Sequence, residues 1–167
     1  MSNYFNLERS FAFYGAYHHN RINTVIHVCC VPLIFTTSIE LVSRIAPSWL
    51  TVTLLFFYIL SFVVMDPVGG ITYAPVLMTY YWVATNVLPE FPSVSLAAFV
   101  ISWILQFIGH GLFEKRAPAL LTNLPQSLHA AVFFVWLEVL FAVGLRKTLK
   151  CKLTKAVIQE RRTRKFE

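Results

Sequence analysis

From His27 to His110 the chain is almost without charge, broken only by Glu40, Arg44, Asp66 and Glu90. A chain of 167 residues that is 57% hydrophobic and 13% charged has too little polar surface to cover such a stretch in water. A bilayer is the solvent that suits it, and there backbone groups must find their partners inside helices. The expected fold is all-α: a multi-pass transmembrane helix bundle with an N-terminal interfacial helix and a basic C-terminal tail. Its helices would pack through close contacts and interhelical hydrogen bonds in lipid rather than around a water-driven core. No internal repeat interrupts that reading.

Tyr4 to His19 carries Phe5, Phe11, Phe13, Tyr14 and Tyr17 among polar residues, a pattern that suits an amphipathic helix at the membrane surface. Asn20-Arg21-Ile22-Asn23 interrupts it, and either Asn can cap a helix starting near Thr24. Five apolar segments follow, at 24–42, 49–65, 71–88, 93–109 and 127–145, each near the ~20 residues that cross the hydrocarbon. Asp66-Pro67-Val68-Gly69-Gly70 and Pro89-Glu90-Phe91-Pro92 read as breaks between them. The last segment holds His129 and Glu138, which should face protein or water.

Residues 146–167 contain nine of the fourteen Lys and Arg residues, which the positive-inside rule assigns to the cytosol. If 93–109 ends on that side, a full fifth crossing carries the tail to the lumen. One of the five segments is therefore expected to be re-entrant, interfacial or a hairpin. The tail suits contact with anionic headgroups, and no nucleic-acid motif accompanies it. The N-terminus lacks the short apolar core and cleavage site of a secretory signal, so insertion is expected to rely on the first span. Cys29, Cys30 and Cys151 offer no disulfide framework and read as free thiols.

Against this apolar background the histidines stand out, because an imidazole in or beside a membrane must be hydrogen-bonded or ligated. His18 and His27 would face opposite ways on one continuous helix, but a bend at Asn20–Asn23 lets both rings converge. His110 and Glu114 are spaced i, i+4 on one helical face, so the carboxylate could ligate a metal beside the imidazole or orient it. Gly109 and Gly111 leave room beside His110. Arg21, Lys115 and Arg116 are candidate partners for a substrate carboxylate, or ordinary charges flanking a span. His19 and His129 read as hydrogen-bonded boundary residues. Spacing alone supports no more than a weak metal site.

Two stretches carry a family resemblance. Phe13-Tyr14-Gly15-Ala16-Tyr17-His18-His19-Asn20-Arg21-Ile22-Asn23-Thr24-Val25-Ile26-His27, with Val31-Pro32-Leu33, resembles one signature of the small multi-pass proteins related to the yeast 2-hydroxy-fatty-acid dioxygenase. Trp103 to Glu114, followed by Arg116-Ala117-Pro118-Ala119, resembles the other. Where the family often has proline this chain has Arg21, in the linker and away from any proposed ligand.

The resemblance implies a multi-pass endoplasmic-reticulum enzyme of fatty-acid alpha-oxidation that uses Fe(II) and molecular oxygen. It would convert a 2-hydroxy fatty acid to the acid one carbon shorter with release of carbon dioxide, a step in phytosphingosine degradation. On that reading residues 1–145 are the membrane-embedded catalytic domain and 146–167 a cytosolic tail. His18, His27 and His110 carry over as iron ligands, and Glu114 as the acidic residue of the second motif. Three imidazoles suit iron and leave positions for substrate and oxygen. Two alternatives stay open: a metal-dependent membrane lipid enzyme acting on another substrate, such as a hydrolase with a zinc-bound water, and a non-catalytic lipid-binding or scaffold protein.

Overall fold

The computed structural model describes residues 5–164, and every regular element among them is helical. In chain order these are α1 (Leu7–Gly15), α2 (Arg21–Ser43), α3 (Ser48–Met65), α4 (Pro67–Asn86), α5 (Pro92–Ile108), α6 (Leu124–Ala142) and α7 (Lys147–Thr163). A π-helical turn, Gly109–Glu114, continues α5. Four of them are long and apolar enough to cross a membrane: α2, α3, α5 with its π turn, and α6. The all-α, multi-pass architecture expected from the sequence is what the chain adopts. Tyr4, which opens the predicted interfacial helix, and the last three residues of the tail lie outside the described residues.

Several boundaries differ from the sequence reading, each for a local reason. The third segment starts at Pro67 rather than residue 71, because Asp66 alone breaks the chain. Its side chain accepts from the Gly69 N–H at 3.0 Å, and Pro67 takes the first helical position, where its missing N–H costs nothing. Gly70 then lies inside α4 as a contact point: a Cβ there would collide with the backbone of Phe62 and Val63 in α3. The fifth segment starts at Leu124 rather than 127, since the Asn123 side chain caps it by accepting from the Gln126 N–H. The basic tail is a helix over Lys147–Thr163.

The chain divides into two compact units. In Cys29–Gln106, apolar side chains such as Phe56, Leu60, Val64, Met78, Trp82 and Ile101 face outward. Thr37, Glu40, Thr51, Ser61, Ser95 and Ser102 are buried instead. This inversion follows from lipid as the solvent, where polar groups find partners only inside. The buried Glu40 carboxylate pairs with Arg44 and accepts from Ser95 Oγ at 2.7 Å, so its charge is not left bare.

The second unit comprises the described parts of Met1–Val28 and Phe107–Glu167, and α1 lies at its centre. On one side Phe11 and Tyr14 each pack on Phe134 of α6 with ring centroids 4.9 Å apart, and Phe11 also meets Phe141. On the other side α7 runs parallel to α1. Lys152 pairs with Glu8 at 2.7 Å, the Arg161 guanidinium donates to the Ala16 carbonyl at 3.1 Å, and Arg164 lies over the Phe13 ring. Gly15 permits this approach, for a Cβ there would lie 2.7 Å from Val157. Leu153 is the buried anchor of α7.

Among the four candidate spans α6 is the most covered by protein. More than half of its most apolar window, 56%, is buried within the protein, against 17% for α3. Val132, Phe133, Phe134 and Val135 are consecutive and all buried; at ~100° per residue they cover the whole circumference. Over that stretch protein surrounds the helix, whereas Leu124 and Leu128 nearer its start are exposed. It is covered by α1, which in turn carries α7, a helix too rich in Lys and Arg to lie in hydrocarbon. Of the five apolar segments, α4 is the one that falls outside the helices long and apolar enough to cross a membrane.

Candidate metal centre

The chain break predicted near Asn20 falls between Gly15, where α1 ends, and Arg21, where α2 begins. It brings His18, just past α1, beside His27, in the second turn of α2. The π turn adds His110 at the end of α5. Wider than an α-helical turn, a π turn re-aims its side chains and recurs at functional sites. It ends at Lys115, whose left-handed backbone (φ 53°) turns the chain, and the Arg116 N–H donates back to the His110 carbonyl at 3.2 Å.

All three imidazoles are buried. Their ring centroids lie 4.3 Å (His18–His27), 4.8 Å (His18–His110) and 5.0 Å (His27–His110) apart, mutually edge-on. One ligand atom from each lies within 4.8 Å of the others, so the trio could hold a metal ion.

The hydrogen bonds favour that use. His18 Nδ1 sits 2.7 Å from the Tyr14 carbonyl and His27 Nδ1 2.9 Å from the Asn23 carbonyl. A carbonyl only accepts, so each Nδ1 carries the proton and each Nε2 keeps its lone pair. His18 Nε2 and His110 Nδ1 are buried without any hydrogen-bond partner. Such atoms are costly to leave bare, and a metal ion is the partner that a converging set of lone pairs suits. Burial above all, then the neighbouring His27 and His110, hold the His18 imidazole well below the usual histidine range despite its bond to Tyr14. It therefore stays neutral, the form that ligates.

Glu114 is not a member of the trio. Its Oε1 accepts from the Asn20 backbone N–H at 2.7 Å and from Asn23 Nδ2 at 3.2 Å. Arg21 and Lys115 are exposed, whereas Arg116 is half-buried next to His110 in space through its backbone bond. His19 is exposed, and His129 is half-buried in α6. Gly109 does leave room beside His110, where the Asn23 side chain fills the space; Gly111 has nothing nearby.

Sequence reasoning missed three neighbours of the centre. The Tyr14 ring stacks on His18 at 4.1 Å and 17°, and Phe134 lies 5.4 Å from the same imidazole. Asn23 is fully buried and was read only as a possible cap. A signal was present for two of them: Tyr14 and Asn23 each precede a histidine by four residues, the spacing at which a helical carbonyl meets a side chain one turn on.

Comparison with known proteins gives the chain's relatives. The family model described as 2-hydroxy-palmitic acid dioxygenase Mpo1-like matches residues 4–65 and 70–143. The 2-hydroxy-palmitic acid dioxygenase MPO1 of Saccharomyces cerevisiae is 35% identical over 155 residues, covering 89% of this chain and 87% of the yeast protein. No solved structure matches.

Proposed function

Since the chain belongs to the Mpo1-like family, we propose that it is an Fe(II)-dependent dioxygenase of 2-hydroxy fatty acids in the endoplasmic-reticulum membrane. One molecule of the 2-hydroxy acid and one of dioxygen would give the acid one carbon shorter, carbon dioxide and water. In the cell this reaction serves alpha-oxidation, including breakdown of the 2-hydroxy acids that arise from phytosphingosine. The observation that carries the proposal is the buried triangle of His18, His27 and His110, with lone pairs left over after two of the rings are tied to backbone carbonyls.

His18, His27 and His110 would hold ferrous iron, which supplies dioxygen activation and keeps positions free beyond three imidazoles. The remaining work belongs to the chain. Tyr14 and Asn23 lend their carbonyls to fix two imidazoles in one tautomer and attitude. The aromatic walls of Tyr14 and Phe134 keep water from the His18 side. Among the three candidate cations, Arg116 is best placed for the substrate carboxylate, being half-buried and tied to His110; Arg21 and Lys115 guard the exposed approach. The acyl chain stays in apolar surroundings, where each CH₂ contributes about 0.8 kcal/mol.

The test is turnover of 2-hydroxypalmitate by the purified protein in detergent, under air and under nitrogen, with Fe(II) supplied or chelated. Product one carbon shorter is expected only with both iron and oxygen, and not from His27→Ala or His110→Ala. Turnover that survives nitrogen, or a metal-loaded folded protein that makes no product, would overturn the proposal.

A further inference from the structure

We propose that Asn23 is a positioning residue of the metal centre, and that Glu114 acts on the centre by way of it. This rests on the reading that the three histidines hold a metal. Two segments bring the distal ligands together, the first turns of α2 with His27 and the π turn with His110. One carboxylate joins them: Glu114, at the end of the π turn, accepts from the backbone of Asn20 and the side chain of Asn23 at the start of α2. A carboxylate there also suits the positive end of the helix dipole.

The orientation of Asn23 follows from chemistry. Glu114 Oε1 accepts, so the Asn23 amide turns its Nδ2 towards it, 3.2 Å away. The carboxamide oxygen is then forced towards Gly109, where it is buried without a donor. Asn23 is fully buried, and an apolar side chain would avoid this unsatisfied atom. What the asparagine provides in return is a link. Its side chain is held by Glu114, while its backbone carbonyl, 2.9 Å from His27 Nδ1, fixes the imidazole that would bind metal. Gly109 belongs to the same device, since any Cβ at that position would strike the Asn23 oxygen.

Groups that orient a metal ligand typically change affinity by 10–100-fold when removed. The experiment titrates Co(II) into metal-free, full-length protein in detergent and follows the visible spectrum of the bound ion. Variants are Asn23→Ala, Glu114→Ala, the double variant, and Glu114→Gln. Asn23→Ala and Glu114→Ala should each weaken Co(II) by about 10–100-fold and alter the spectrum. The double variant should lose no more than the worse single one. Glu114→Gln keeps an oxygen for both donors and should remain close to the parent.

Parent-like affinity in either alanine variant, or losses that multiply in the double variant, would overturn the proposal. Should Asn23→Ala not fold, the Glu114 pair decides alone, with equal affinities in Ala and Gln counting against it. A parent protein that binds no metal with its histidines intact is a different failure, that of the metal reading itself.

Discussion

Two glycines flank His110, and the same substitution at each should have opposite consequences. At Gly111 nothing lies within 4 Å of a new Cβ and the backbone is not left-handed, so alanine fits and reduces the freedom of the unfolded chain. The expected effect is neutral to stabilising, by about 0.4–1 kcal/mol. At Gly109 the methyl would strike the Asn23 oxygen and lie 3.4 Å from Ile26 Cδ1. Asn23 cannot swing clear, being fully buried and tied to Glu114. Overpacking of this kind costs about 1–3 kcal/mol, and weakening a hydrogen bond to a carboxylate about 1.5–3 more. Allowing for partial relaxation, a net loss near 3 kcal/mol is expected, or a melting temperature lowered by about 6–12 °C for a domain of this size. The assay is thermal unfolding of the metal-free protein in detergent, followed by tryptophan fluorescence. Equal shifts for the two variants, or a Gly109→Ala protein as stable as the parent, would refute the picture of Asn23 wedged against the π turn.

Two further outcomes test the packing around α1. Leu153→Ala should destabilise by about 2–4 kcal/mol because it empties the buried anchor of α7, whereas Lys152→Ala, which removes an ion pair exposed on both sides, should change stability by less than about 1 kcal/mol; the same unfolding assay compares them. If α6 is a core helix rather than a span, cysteines introduced at exposed Leu121 and Leu145 in a protein lacking its native cysteines should both be labelled by an impermeant maleimide from one side of sealed microsomes. Labelling from opposite sides would make α6 a membrane crossing.

The histidine triangle was legible because its residues are local in sequence words even where they are distant in number. The break before Arg21 could be read from Asn20 and Asn23, and the pairing of His110 with Glu114 from their spacing. What escaped was the division of labour: Glu114 was a possible ligand at i+4, and the π turn redirects it to α2, which no α-helical spacing can foretell. The extent to which protein covers α6 was not legible. Hydropathy reports how apolar a helix is, not whether lipid or protein covers it. The cover here depends on Phe11 and Tyr14, more than a hundred residues away. The docking of α7 was hidden for a similar reason: it needs the bare backbone of Gly15 facing Val157, a long-range fit with no local pattern.

The sandwiching of α1 between α6 and α7 also orders events during synthesis. His18 emerges from the ribosome well before α7, yet the helix that leads to it gains its second wall only when α7 has been made. The hydrophobic segments of Cys29–Gln106 can enter the bilayer long before that. Membrane insertion and completion of the packing around His18 are therefore separate steps, and a ribosome stalled before residue 147 leaves α1 without the contacts that α7 makes to it. If the triangle holds a metal, loading it belongs after translation, and failure to complete it would present quality control with a protein embedded but unfinished around α1.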